Sequence, residues 1–168
     1  KELPFESREI TTPLGISKTE LISEQPVLAT ILRAGLGMHL GLMNYFDRSE
    51  SAFVSAYRKH NPAEDFDVHV EYLASPSLED RILILSDPML ATGKSMALVY
   101  KAMLKNGTPK HLIVCAAIAT PDALEFIQKH LPEDTEYYIG AIDQELSAES
   151  YIIPGLGDAG DLAYGVKL

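Results

Sequence analysis

Ile82-Leu83-Ile84-Leu85-Ser86-Asp87-Pro88-Met89-Leu90-Ala91-Thr92-Gly93-Lys94-Ser95 decides how the rest of this chain is read. An aliphatic strand runs into a carboxylate, then a loop of small residues ending in hydroxyls, then a helix. Backbone N–H groups at a helix start are unpaired and lie at the positive end of the helix dipole, so they attract a phosphate dianion. Thr92 and Ser95 add hydroxyl donors, and Gly93 lets the backbone approach closely. Asp87 is wrong for a phosphate but right for accepting hydrogen bonds from a diol. Phosphate donors beside a diol acceptor describe a site for a ribose 5-phosphate.

Two other phosphate-loop readings are disfavoured, one by residue type and one by spacing. Gly93-Lys94-Ser95 matches the end of a Walker A loop, but the position of that loop's first Gly is Pro88, which has no N–H and a locked φ. A carboxylate at the strand end would also repel a nucleotide's phosphates, which disfavours a P-loop kinase. Gly35-Leu36-Gly37-Met38-His39-Leu40-Gly41 carries one residue too many for a dinucleotide-binding GxGxxG, and no acidic residue closes the next strand.

Outward from the central motif, buried strands alternate with helices. Strands are expected at Arg8–Thr12, Pro26–Leu32, Ala52–Tyr57, Val68–Tyr72, Arg81–Leu85, His111–Ala119 and Glu136–Ile142, with Leu162–Val166 as a returning edge strand. Helices are expected at Met38–Phe46, Ser95–Asn106 (ended by Gly107) and Pro121–His130 (Pro at its start, Pro132 beyond its end). The polar stretch Arg58–Pro76 reads as a protruding arm and Ser147–Asp161 as a Gly-rich loop. Such alternation implies a parallel sheet covered on both faces, with ligands outside the carboxyl ends of the strands. The loops after Leu32, Leu85 and Ile142 all lie at those ends.

At 168 residues the chain reads as one domain, residues 1–168. Its net charge of −10 argues against nucleic acid as a partner. No apolar run approaches the ~20 residues that span a bilayer, so no membrane partner is expected. The polar start with Pro4 does not read as a signal peptide. A single cysteine, Cys115, suits a reducing cytosol and a cytoplasmic location, and its apolar setting reads as an inert buried thiol. Histidines 39, 60, 69, 111 and 130 show no metal-ligand spacing and read mostly as surface residues.

Three stretches together resemble one family. Asp87–Ser95 resembles the phosphoribosyl diphosphate (PRPP) signature of type I phosphoribosyltransferases, in the Asp-Pro-Met-Leu-Ala-Thr-Gly form of the uracil phosphoribosyltransferase family. Ile31-Leu32-Arg33-Ala34-Gly35-Leu36-Gly37-Met38 is similar to that family's diphosphate loop, and Tyr151–Asp161 to its uracil-binding loop. The resemblance implies an α/β single domain: a mostly parallel twisted sheet with helices on both faces, a β-arm over residues 58–76 and a small C-terminal hood at residues 147–161. It implies transfer of a phosphoribosyl group from PRPP to N1 of uracil, giving UMP and diphosphate. A homologue that binds both ligands without turnover and acts as a regulator is the alternative.

By the same resemblance, Arg33, Arg58, Asp87 and Asp158 are catalytic. PRPP binding falls to these four and to Pro88, Met89, Leu90, Ala91, Thr92, Gly93, Lys94 and Ser95. Uracil contacts fall to Ile152, Gly157, Asp158 and Ala159. Mg²⁺ is expected to be carried by the diphosphate, reaching Asp158 at most through water. A homodimer or higher homo-oligomer, GTP as an allosteric activator and a helical segment ahead of residue 1 complete the expectations. Two positions depart from the family pattern: Lys94, usually Gly, and Leu162, usually Lys or Arg.

Overall fold

The computed structural model describes residues 3–59 and 67–167, with side chains described throughout except at 57–59 and 67–69. In chain order the elements are β1 (Phe5–Thr12), β2 (Gly15–Ile22), β3 (Val27–Leu32), α1 (Leu36–Met43), β4 (Glu50–Lys59), β5 (Asp67–Ala74), β6 (Ile82–Ser86), β7 (Met89–Leu90), α2 (Lys94–Met103), β8 (His111–Ala119), α3 (Pro121–His130), β9 (Glu136–Ile142), β10 (Glu145–Leu146), β11 (Ile152–Ile153) and α4 (Ala159–Tyr164). A 3₁₀ turn at Leu104–Asn106 finishes α2, and Gly107 follows it at a φ of 113°.

Strands apolar at every position need cover on both faces, and these have it. The central sheet runs β5-β4-β3-β6-β8, with β7 and β9 also pairing with β8. Every pairing is parallel except β4 with β5. Along β3, β6 and β8, alternate side chains (Val27, Ala29, Leu83, Leu85, Leu112, Val114) join the main core with Met96, Val99 and Met103 of α2 and Ala123 and Ile127 of α3. The intervening residues (Leu28, Ile82, Ile84, Ile113) pack on the other face with Leu42 and Phe46, in and just after α1. The expected α/β class, a mostly parallel sheet with helices on both faces, is the fold observed. No described helix is long and apolar enough to cross a membrane.

Three local expectations need correcting. Leu162–Val166 does not return as an edge strand: residues 159–164 form α4, because the Asp158 carboxylate accepts from the Asp161 N–H at 2.8 Å and caps a helix start. Gly15–Ile22, read as nothing regular, is β2, pairing antiparallel with β1 as a hairpin apart from the main sheet. His39, one of five histidines that read mostly as surface residues, is fully buried, with Nε2 3.0 Å from Ser51 Oγ and Nδ1 without a partner. In the arm, β4 and β5 pair as far as Lys59 with Asp67; residues 60–66 lie outside the described residues.

Candidate functional site

Asp87 stands where the sheet's central strand is interrupted. β6 pairs with β8 through Ser86–Cys115, and β7 resumes the pairing at Met89–Ile118. In between, Asp87 N–H donates to Cys115 O (3.1 Å) and Ile118 N–H donates to Pro88 O (3.0 Å). Pro88 can accept there but has no donor to give, so the chain steps out of register for one turn and back. Two buried hydroxyls hold the step in place. Ser86 Oγ donates to Ala29 O at 3.1 Å, and Thr30 Oγ1 donates to Ser86 O at 3.2 Å.

The step leaves the Asp87 carboxylate half-buried on the floor of a cavity of about 720 Å³. Burial pushes its pKa from 3.8 up to about 7, against a smaller opposing pull from the Met89 N–H, which donates to Oδ1 at 3.3 Å. A volume of this size falls in the range of small-molecule sites.

Past Leu90 the chain forms the loop that the sequence reads as a phosphate cradle. Gly93 takes a left-handed φ of 73° at the N-cap of α2. A Cβ there would lie 2.8 Å from Ala123 O and 2.7 Å from Ile127 Cγ2, so only glycine lets the cradle rest against α3. The N-terminus of α2 has no side-chain cap and no acid in its first turn, which suits an incoming anion. From behind, Thr120 braces the loop. Its hydroxyl donates to Ala91 O (2.8 Å) and accepts from Ala123 N–H (3.0 Å), capping α3 with the same atom.

One cavity gathers most of the residues singled out from the sequence. Arg33, Asp87, Met89, Leu90, Ala91, Thr92, Gly93, Ser95, Asp158 and Ala159 line it. Pro88 and Ala159 border an adjoining shallow groove of about 370 Å³ with Ala34, Met38 and Leu156. Ile152, Gly157 and Lys94 line neither space. Ile152 is buried, pairing with Leu146 between β10 and β11. The side chain of Arg58 lies outside the described residues; its backbone pairs with Val68 in the arm.

Sequence reasoning missed Asp161, Glu149 and Lys167, which also line the cavity. It also missed Asp143, whose Oδ2 accepts from Gly155 N–H at 3.0 Å and ties the tail to the end of β9. The Asp158-x-x-Asp161 spacing was a readable N-cap signal for the tail; Glu149 and Lys167 carried none.

Electrostatically the cavity is mixed. Asp87, Glu149, Asp158 and Asp161 share its wall with Arg33 and Lys167. Arg33 follows a cis Leu32–Arg33 peptide, and its Nη2 donates to Asp161 Oδ1 at 2.8 Å. No group of three or more His, Cys, Asp or Glu among the described residues is arranged to hold a metal. The site can therefore bind a polyanion at backbone donors and Arg33 while offering isolated carboxylates to hydroxyls or to a cation that brings its own ligands.

Comparison with known proteins places the chain. The family model described as uracil phosphoribosyltransferase matches residues 1–166. A uracil phosphoribosyltransferase of Porphyromonas gingivalis is 53% identical over 168 residues, covering 100% of this chain and 78% of the relative. The solved AQ2163 protein of Aquifex aeolicus superposes with a TM-score of 0.87 at 31% identity, over 100% of this chain and 79% of its own. A purine phosphoribosyltransferase from Pyrococcus horikoshii, at 15% identity, TM-score 0.55 and coverage of 74% and 82%, shares the fold.

Proposed function

The chain belongs to the uracil phosphoribosyltransferase family, and on that premise we propose how its residues divide the reaction. The enzyme transfers the 5-phosphoribosyl group of PRPP to N1 of uracil, releasing UMP and diphosphate. The observation that supports the assignment of roles is the shared cavity, where the strand break at Asp87, the diphosphate loop at Arg33 and the tail at Asp158 meet.

Asp87 accepts from the ribose hydroxyls, while Met89–Ser95 and the start of α2 wrap the 5′-phosphate. As the C1′–diphosphate bond lengthens, positive charge develops at C1′ and negative charge on the leaving oxygens. Arg33 meets the latter, and Arg58, at the start of the arm of residues 58–76, is assigned to the same charge. Of the hood residues assigned to uracil, Ala159 lines the cavity and offers peptide groups to the acceptor–donor–acceptor edge, while Ile152 and Gly157 hold the hood of residues 147–161 that aims N1 at C1′. No covalent nucleophile is required.

Asp158, on the cavity wall, would meet through water a Mg²⁺ ion carried by the diphosphate, and the ion would supply charge neutralisation to the leaving group. A homo-oligomeric enzyme, GTP as its activator and a cytoplasmic location belong to the same proposal; sedimentation and a GTP titration of initial rates test the first two.

Radiolabelled uracil, PRPP and Mg²⁺ provide the direct test. Equimolar UMP and diphosphate are expected. Binding of either substrate without turnover would instead favour the regulator, and nucleoside triphosphate hydrolysis a P-loop enzyme.

A further inference from the structure

Arg33 and Asp161 come from opposite ends of the chain and meet at the cavity wall. Arg33 spans α4: Nη2 donates to Asp161 Oδ1 at 2.8 Å, and Nη1 donates to Gly165 O, just past the helix end, at 3.2 Å. Asp161 is tied in turn to Asp158, whose Oδ1 accepts its N–H at 2.8 Å. The two side chains assigned to diphosphate, Arg33 and Asp158, are therefore joined through a third residue that carries no such role, by its carboxylate on one side and its backbone N–H on the other.

The two segments also approach one another at Gly160. Gly160 is buried, and a Cβ on it would lie 3.2 Å from Asp158 Oδ1 and 3.8 Å from both Ala34 N and Arg33 Nη2. So α4 leans on the diphosphate loop with nothing between them. An ion pair as exposed as this one, with Arg33 at 42% and Asp161 at 28%, adds little to folding stability. What it does provide is orientation, because a planar guanidinium held at two nitrogens has few ways to turn.

We propose that Asp161 is a positioning residue for the transfer reaction: it holds the Arg33 guanidinium in register with the leaving group and thereby locks the diphosphate loop to the tail that carries the uracil contacts. Asp161 itself donates nothing to a polyanion, so its effect passes through Arg33. Misplacement of a charge-stabilising group slows the chemical step more than it weakens binding. The inference rests on the roles proposed above for Arg33 and the tail.

Asp161→Asn, Asp161→Glu, Arg33→Ala and the Arg33→Ala/Asp161→Asn double variant test it by steady-state kinetics, alongside melting curves. Asp161→Asn is expected to lower kcat roughly 10- to 100-fold while the KM for PRPP moves less than about threefold. Asp161→Glu, keeping the carboxylate, is expected to recover most of the rate. In the Arg33→Ala background, Asp161→Asn should change kcat by less than about twofold, since its target is gone.

Independent, additive losses in the double variant would overturn the proposal, as would wild-type kcat in a folded Asp161→Asn enzyme. If Asp161→Asn fails to fold, Asp161→Glu decides: a rate near wild type supports the role, and one as low as that of Arg33→Ala removes it. Failure of the transferase reading would show differently, as absence of UMP from the wild-type enzyme.

Discussion

Replacing Asp87 with asparagine should stabilise the empty protein while depriving it of its sugar-phosphate ligand. The carboxyl group sits half-buried with one backbone donor, and burial lifts its pKa from 3.8 to about 7. The folded chain therefore holds this proton to higher pH than the unfolded chain does. Stability from the neutral acid is fully present below about pH 4 and is lost as pH rises through about 7. Each pH unit of separation is worth about 1.4 kcal/mol, so charging Asp87 in the fold costs up to about 4 kcal/mol near pH 8. Near pH 5 the folded group is still protonated and the same comparison gives only about 2 kcal/mol.

Asparagine keeps an Oδ1 to accept from Met89 N–H and never ionises, so the variant escapes this cost. For a chain of this size about 1 kcal/mol moves the melting temperature by ~2–4 °C, which makes the expected gain about 8–16 °C near pH 8. Differential scanning fluorimetry at about pH 5 and pH 8, with and without PRPP and Mg²⁺, reads both halves. The variant should melt higher when empty, by a margin that grows with pH, and should lose the ligand-induced rise of the wild type. A margin that does not change between the two pH values, or a variant that melts lower at pH 8, would refute the burial argument. An undiminished rise with PRPP would refute the ribose assignment.

Thr120→Val removes the hydroxyl that both caps α3 and braces Ala91, leaving a buried carbonyl and an amide unpaired. Urea melts should show a loss of about 2–3 kcal/mol, and the KM for PRPP should rise as the cradle loosens. His39 is fully buried, and burial lowers its pKa below the ordinary 6.5. Its neutral ring therefore contributes stability that is present above about pH 6.5 and lost as pH falls further. His39→Leu should remove that acid sensitivity, seen as a stability difference between variant and wild type that grows from pH 7 to pH 5; an unchanging difference would mean that the His39 pKa is the same in the folded and unfolded chain.

The sequence made the buried half of this molecule legible because burial writes itself in composition. Pro121–His130 and His111–Ala119 are bounded to the residue by the sequence, the first by its Pro and the second by its apolar run. β2 was not, because all but three of its eight residues face solvent and leave no alternation to read. α4 is not legible because Gly160 reads as loop, while the start of the helix depends on the cap from the Asp158 carboxylate. Within the site, the strand-end carboxylate and the cradle could be read from local order alone. Asp161 could not, because its partner lies 128 positions away and only the folded chain brings the two together.

The interrupted strand at Asp87 and Pro88 has one more implication. Pairing with β8 resumes within three residues, so the sugar-phosphate half of the pocket is woven into the sheet itself. The tail we assign to the nucleobase hangs from a two-residue ladder, Asp143 and the Arg33 bridge. Mutational drift in such an arrangement falls unevenly: selectivity for the base can be retuned by a handful of tail residues, whereas almost any change beneath the ribose also touches the integrity of the scaffold.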